Sequence, residues 1–169
     1  MLHFIRSRRA RRSVATLLCV VLIAFTAVAP ASMQTPADIA VIAHPDVPIA
    51  DLSRADLRRM LLGDREFWAP GLRVTLFIRA PIARERDVAV QDICEMTEAQ
   101  FRQHWIAKVF RADARTGPKI VYSADMAVDQ VSRTPGAIGF VAAAQATGKN
   151  VKILRIDGRA PGQSGYRLK

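Results

Sequence analysis

The chain has 169 residues, with 25 lysines and arginines against 15 aspartates and glutamates, for a formal net charge of +10. Five of those arginines and no acid fall within the first 31 residues, so the remaining 138 carry a surplus of only five. A surplus of that size attracts anions and favours solubility. With no lysine or arginine run, and no basic stripe interleaved with aromatics, it argues against nucleic acid as a partner.

Residues 1–31 read as an export signal. Arg6, Arg8, Arg9, Arg11 and Arg12 form a basic start, Val14 to Ala29 is an apolar run, and Ala29-Pro30-Ala31 supplies a small-x-small cleavage pattern, with Ser32 as the expected new N-terminus. The 16 apolar residues fall short of the ~20 that span a bilayer. Cleavage is therefore favoured over anchoring, and the product is expected in the periplasm with no stable membrane span. The pairs Arg8-Arg9 and Arg11-Arg12 resemble a twin-arginine signal only loosely, which leaves the export route open. Cys19 leaves with the signal. Cys94 then remains alone in an apolar helical setting, which excludes an internal disulfide and predicts a buried, inert thiol. The mature 32–169 segment is one domain, large enough for a single core. Its ends, 32–37 and 158–169, are rich in Gly, Pro, Ser and Gln and are expected to be loose.

In chain order, "IAVIAH" (39–44) is a short apolar run closed by Pro45, a candidate buried strand. Ser53 and Asp56 then predict a helix start with a capping box, bracketed by Leu52 and Leu57 as a hydrophobic staple. Leu57, Met60 and Leu61 give that helix one apolar face, and Gly63 stops it. Trp68 falls on a loop and is expected to act as a plug, held by the Pro70-Gly71 turn before a strand over 72–79, "LRVTLFIR", with Leu72, Val74, Leu76 and Ile78 alternating. A helix over about 85–95 follows. A second capping box, Thr97 with Gln100 and its staple Met96–Phe101, opens a helix carrying Phe101, Trp105 and Val109 on one face. "KIVY" (119–122) predicts a strand, Ser123 caps a helix that Thr134-Pro135 ends, and "AIGFV" and "VKILRI" (151–156) predict two more strands. Strands alternating with helices imply an α/β layered sheet with flanking helices.

Catalysis finds little support. His44 and His104 stand 60 positions apart without a carboxylate or cysteine at metal-ligand spacing, and no carboxylate pairs convincingly with a nucleophile. The expectation is a protein that is not an enzyme and that takes no metal or cofactor. The "HPD" at 44–46 matches the tripeptide of J-domain co-chaperones, but it follows a strand-like run here and is read as chance. Anion binding fares better. Two helix starts follow predicted strands, one after Arg79 and one at Ser123, and helix N-termini favour phosphate-like groups. Arg79, Arg84 and Arg86 lie around the first, able to fork onto an oxyanion. Balanced by Glu85 and Asp87, the same arginines also fit a solvated face.

At this point the segments together resemble the phosphate-binding-protein-like family of type 2 periplasmic binding proteins. "LSRADLRRMLLGDREFWAPGLRVTLFIR" is similar to the family's segment of Leu-Ser, short helix, Gly turn, Trp and Gly before a strand, carried here by Leu52, Ser53, Leu61, Leu62, Gly63, Trp68 and Gly71. "RQHWIAKVF" resembles its Trp-x-x-x-Phe-type helix, with Trp105 and Phe110 near the expected places, the phenylalanine one residue further on. "PGAIGFV" (135–141) is close to its Pro-Gly-Ala-Ile-Gly-Tyr strand, with Phe140 in place of Tyr. The ordered set covers roughly residues 39–156 and is more specific than any one motif.

The resemblance implies a periplasmic solute-binding fold, here a short single domain, whose full-length members clamp phosphate between two lobes. The mature chain is about half such a length. The family's Ser-Gly-Thr phosphate loop corresponds to "APIARERD", which has none of those residues. What carries over is arginine contact through Arg86 or Arg84, with Ser123 supplying a hydroxyl at the second helix start. The expected ligand is a small oxyanion such as phosphate, with an ABC transporter permease or another periplasmic protein as partner. The alternative is a truncated binding-protein lobe that has lost its ligand and serves as a periplasmic protein–protein interaction module, covering exposed apolar surface against a partner or a second copy.

Overall fold

The structure, a computed structural model, describes residues 37–169. The expected export signal and its cleavage point lie outside the described residues. Fourteen elements follow in chain order: β1 (Ile39–Ala43), β2 (Asp51–Leu52), α1 (Arg54–Leu61), β3 (Phe67–Ala69), β4 (Leu72–Arg73), β5 (Thr75–Arg79), α2 (Arg84–Asp87), a π-helical turn (Val88–Ile93), α3 (Glu98–Phe110), β6 (Lys119–Val121), α4 (Ala124–Arg133), β7 (Ala137–Ala142), α5 (Ala143–Ala146) and β8 (Lys152–Ile156). Among the described residues no helix is long and apolar enough to cross a membrane.

Six strands form one sheet in the order β2-β8-β1-β7-β5-β6. β5 runs parallel to both β7 and β6, and β2 parallel to β8, whereas β1 is antiparallel to its neighbours β7 and β8. β1 is buried along its whole length because the sheet is covered on both faces. Ile39, Val41 and Ala43 join the core with α1, the π-helical turn and α3, while Ala40 and Ile42 join the core with α4 and α5. Sheets covered on both sides read as continuous apolar runs for this reason, and each fully buried Ile or Val contributes about 1.5–3 kcal/mol. This is the α/β layered architecture that the sequence predicts.

Helix starts follow the predicted caps with one exception. Thr97 accepts from the Gln100 amide at 3.2 Å while the Gln100 side chain accepts from the Thr97 N–H at 2.8 Å, a complete box. Ser53 likewise accepts from the Asp56 amide at 3.0 Å. The Asp56 carboxylate instead takes the Ser53 hydroxyl at 2.8 Å, because aspartate is one methylene shorter than the glutamate that reaches back in a full box. Val109, expected on the buried face of α3, is exposed together with Ile106 and Phe110; only Phe101 and Trp105 pack inward.

The strand expected over 72–79 is interrupted. Residues 67–73 form a separate two-stranded ribbon, β3 against β4, and the Val74 N–H bonds back to Glu66 at 2.7 Å. Trp68 therefore sits on a strand rather than a loop. It is still the plug: buried, its indole N–H donates to the Gly136 carbonyl at 2.9 Å. That carbonyl also accepts from Thr75 at 3.0 Å, so one peptide fixes both the ribbon and the start of β5. Gly136 has φ +71°, and a Cβ there would stand 2.1 Å from the Arg73 carbonyl oxygen.

The C-terminal segment corrects the expectation of a loose end. Tyr166 and Leu168 are buried, the Tyr166 hydroxyl donates to the Ile39 carbonyl at 2.7 Å, and the Ile39 N–H donates to Leu168 at 2.8 Å. Gly136→Ala is expected to lower stability by about 3 kcal/mol, combining left-handed strain with the backbone clash. Urea unfolding of the two proteins checks this, and a loss under ~1 kcal/mol would mean that the close approach relaxes freely.

Candidate functional site

β5 and β6 lie side by side and parallel, so their carboxyl ends share one edge of the sheet. From β5 the chain turns to the face holding α2 and the π-helical turn; from β6 it turns to the opposite face, holding α4. Neighbouring strands whose connections leave to opposite faces open a crevice at their carboxyl ends, the preferred ligand position in such sheets. The residues at this edge are Arg79, which ends β5, the α2 turn, and Ser123 after β6.

The three residues singled out from sequence reach this edge in different states. Ser123 is exposed at the N-cap of α4, where its Oγ accepts from the Met126 amide at 3.0 Å and keeps its own proton to donate. Arg84 is half-buried and leans towards the start of β1, donating through Nη1 to the Ala37 carbonyl at 3.0 Å. Arg86 is only 6 % exposed. Its guanidinium forks onto Glu98, Nε to Oε2 at 2.8 Å and Nη2 to Oε1 at 2.6 Å, while Nη1 donates to the Arg79 carbonyl at 2.8 Å. It also lies 5.9 Å over the Phe101 ring. Arg86 is thus turned into the protein, tying β5 to α3, and Arg84 and Ser123 face outward on either side.

Arg79, grouped in sequence with Arg84 and Arg86 around the first helix start, is the one of the three that the family resemblance does not carry over. Its side chain is 14 % exposed, and its Nε and Nη1 find no hydrogen-bond partner among the described residues. The nearest carboxylate oxygen, Oε2 of Glu85, stands 3.8 Å from Nε, too far for a hydrogen bond. Buried guanidinium nitrogens without acceptors are rare, and each such group asks for an explanation. The signal in the sequence is an arginine as the last residue of a buried strand, just before a turn.

The remaining chemistry of the region is structural. The Cys94 thiol is buried, and burial pushes its pKa up to about 12, which keeps it protonated and inert. His104 Nε2 lies 2.9 Å from the Leu62 carbonyl, and His44 Nδ1 accepts from the Asp46 amide at 3.1 Å in the turn after β1. Among the described residues no group of three His, Cys, Asp or Glu side chains could hold a metal. Two hollows of about 290 and 280 Å³ lie elsewhere, at the amino edge of β5 and beside the end of β8.

No protein-family model matches the chain, and no curated protein does. Solved structures do. A phosphate ABC transporter substrate-binding protein with bound phosphate from Clostridium perfringens matches with TM-score 0.59 at 17% identity, over 74% of this chain and 47% of that one. The fold is phosphate-binding-protein-like. An ABC-type phosphate transport receptor from Vibrio cholerae follows at TM-score 0.58 and 16% identity, over 74% of this chain and 48% of that one. PstS from Borrelia burgdorferi matches at 0.56 and 21%, over 74% and 49%. The chain spans about half the length of the solved structures it matches.

The two hydrogen bonds from Arg86 hold the Glu98 carboxyl below the usual carboxylate range, against the opposing effect of partial burial. A carboxylate depressed in this way stabilises the fold above its unfolded pKa of about 4.3 and loses that contribution as pH falls through its native value. Near neutrality Glu98→Gln is expected to cost roughly 1–3 kcal/mol, below the ~3–5 for a fully buried pair because Glu98 is partly solvated. The gap to the parent protein should close on acidification from about pH 5 towards pH 2. Denaturant unfolding across that range reads it, and a gap independent of pH would place the effect outside the Arg86 pair.

Proposed function

We propose that this domain is an exported solute-binding protein that takes a small, phosphate-like oxyanion in the crevice between the carboxyl ends of β5 and β6. The observation that carries this reading is Arg79, a mostly buried guanidinium with two nitrogens lacking acceptors among the described residues. An oxyanion offers charged acceptors to such a guanidinium, forking across Nη1 and Nη2 or across Nε and Nη2, the two edges on which arginine binds bidentately. Ser123 adds a hydroxyl donor, and the N-terminus of α4 adds partial positive charge. Arg84 stands on the other flank and contributes charge, while Arg86 fixes the peptide from which Arg79 projects. Binding rather than catalysis is the reading because both described histidines are occupied in structural contacts. The phosphate named for the similar Clostridium protein supports the choice of anion, and an ABC permease is the partner such a binder would serve in the periplasm.

Calorimetry with phosphate and sulfate at low salt tests it. The expected result is a saturable heat that salt weakens, lost in Arg79→Met and reduced about three- to tenfold in Ser123→Ala. No heat with either anion in folded protein, or Arg79→Met binding as well as the parent, would overturn the reading.

A second reading rests on a separate observation. Ile82 at the tip of the β5–α2 turn is 97 % exposed, Tyr122 beside Ser123 is 73 % exposed, and Ile120 and Met126 are also open to solvent. Apolar side chains gathered at one edge suit a protein–protein contact. In that case light scattering should show self-association that Ile82→Lys with Tyr122→Lys abolishes, whereas a monomer at all concentrations speaks for the solute-binding reading.

A further inference from the structure

The hollow of about 290 Å³ lies at the opposite end of β5 from Arg79 and belongs to none of the machinery above. It forms where the start of β5 (Val74, Thr75, Leu76) meets the segment 114–118 before β6, with Met60 of α1 and Trp105 of α3 behind them. We propose that it binds a small organic carboxylate, an apolar body with a single anionic head.

The body is set by the walls. Met60, Val74, Leu76, Ala114 and Pro118 present hydrocarbon, and Trp105 presents an aromatic ring. That ring is held in place at both ends. Its N–H donates to the Leu61 carbonyl at 3.1 Å, and its far edge lies against Gly63, where an added Cβ would stand 2.7 Å away. A fixed indole beside aliphatic side chains is a preorganised surface for an apolar ligand.

The head is set by the charges at the mouth. Arg65, Arg73, Arg115 and Lys119 line the hollow against one acid, Glu66. Arg65 is engaged with Asp56 at 3.3 Å and Arg73 with Glu66 at 2.7 Å. The Lys119 ammonium lies 5.5 Å from the centre of the Phe77 ring. Neither Lys119 nor Arg115 has an ion-pair or hydrogen-bond partner among the described residues, and of the two Arg115 offers the planar fork that suits a carboxylate. A multiply charged inorganic anion gains nothing from hydrocarbon walls and loses hydration against them. A neutral hydrocarbon ignores the positive mouth. A monoanion with an apolar tail satisfies both.

The probe is 3-phenylpropionate, with 3-phenylpropan-1-ol as its neutral counterpart and inorganic phosphate as the anion without a tail. Two-dimensional NMR of the protein should show saturable shifts at the Trp105 indole N–H and at Thr116 and Gly117 with phenylpropionate alone, leaving the Trp68 indole unmoved. Arg115→Ala should weaken this binding about tenfold. Gly117→Leu should abolish it by filling the hollow, since a Cβ there meets nothing nearer than 3.9 Å and the fold is expected to tolerate it. Arg79→Met should leave it unchanged, which separates this site from the oxyanion crevice. Equal binding of the alcohol, indifference to Arg115→Ala, or shifts centred on Arg79 and Ser123 would each overturn the proposal.

Discussion

The carboxyl edge of the sheet is organised by a single buried cation. Arg86 enters the interior from the first turn after β5 and there meets one carboxylate, Glu98, and one carbonyl, that of Arg79. Burying a guanidinium costs several kcal/mol, and only a fork onto an acid with its remaining hydrogen bonds made brings the balance back. The outcome is positional. The last peptide of β5, the short α2 and the first turn of α3 are locked to one another, although the intervening 80–83 turn contains Ile82 at φ +79°, a conformation that costs a β-branched residue energy. Glu98 also lies in the first turn of α3, where negative charge complements the helix dipole. What this lock fixes at β5 is the carbonyl of Arg79, the peptide at which the strand ends.

The two ends of β5 are consequently of different character. The carboxyl end closes on charged groups at a change of sheet face, which favours a ligand held by directional hydrogen bonds. The amino end opens beside Trp105 and the ribbon, where apolar walls dominate. What holds the ribbon there is again one group: the Gly136 carbonyl accepts both the Trp68 indole and the Thr75 amide. Arg65, Glu66 and Arg73, all beside the hollow, are positioned through that contact. Strand β5 thus carries opposite chemistries at its two ends because its neighbours at each end differ.

Much of this was legible in the sequence where the deciding interactions are local. The apolar runs at 39–43, 137–141 and 151–156 are strands, and Ser53, Thr97 and Ser123 cap helices, because a cap bonds only three residues ahead. Errors arose where the partner is distant. The tail at 158–169 looks loose by composition, yet Tyr166 finds the carbonyl of Ile39 from 127 positions away. The break at Val74 depends on Glu66 across a turn, which alternation alone does not reveal. Arg86 reads as an outward arm, since its acid lies twelve residues on, past a π-helical turn that shifts the register of the face. Arg79 carries no motif; only the finished packing shows that its nitrogens stand without acceptors.

β1 offers a last consequence. Among the described residues it is the first strand of the sheet and lies near its middle, yet its companions on either side, β7 and β8, begin only at residues 137 and 152. Its Ile39 amide and carbonyl are claimed later still, by Leu168 and Tyr166. Long-range pairing of this kind makes folding slow, since loop closure must precede any reward. The central strand therefore stays unmatched until residues 137–156 are in place.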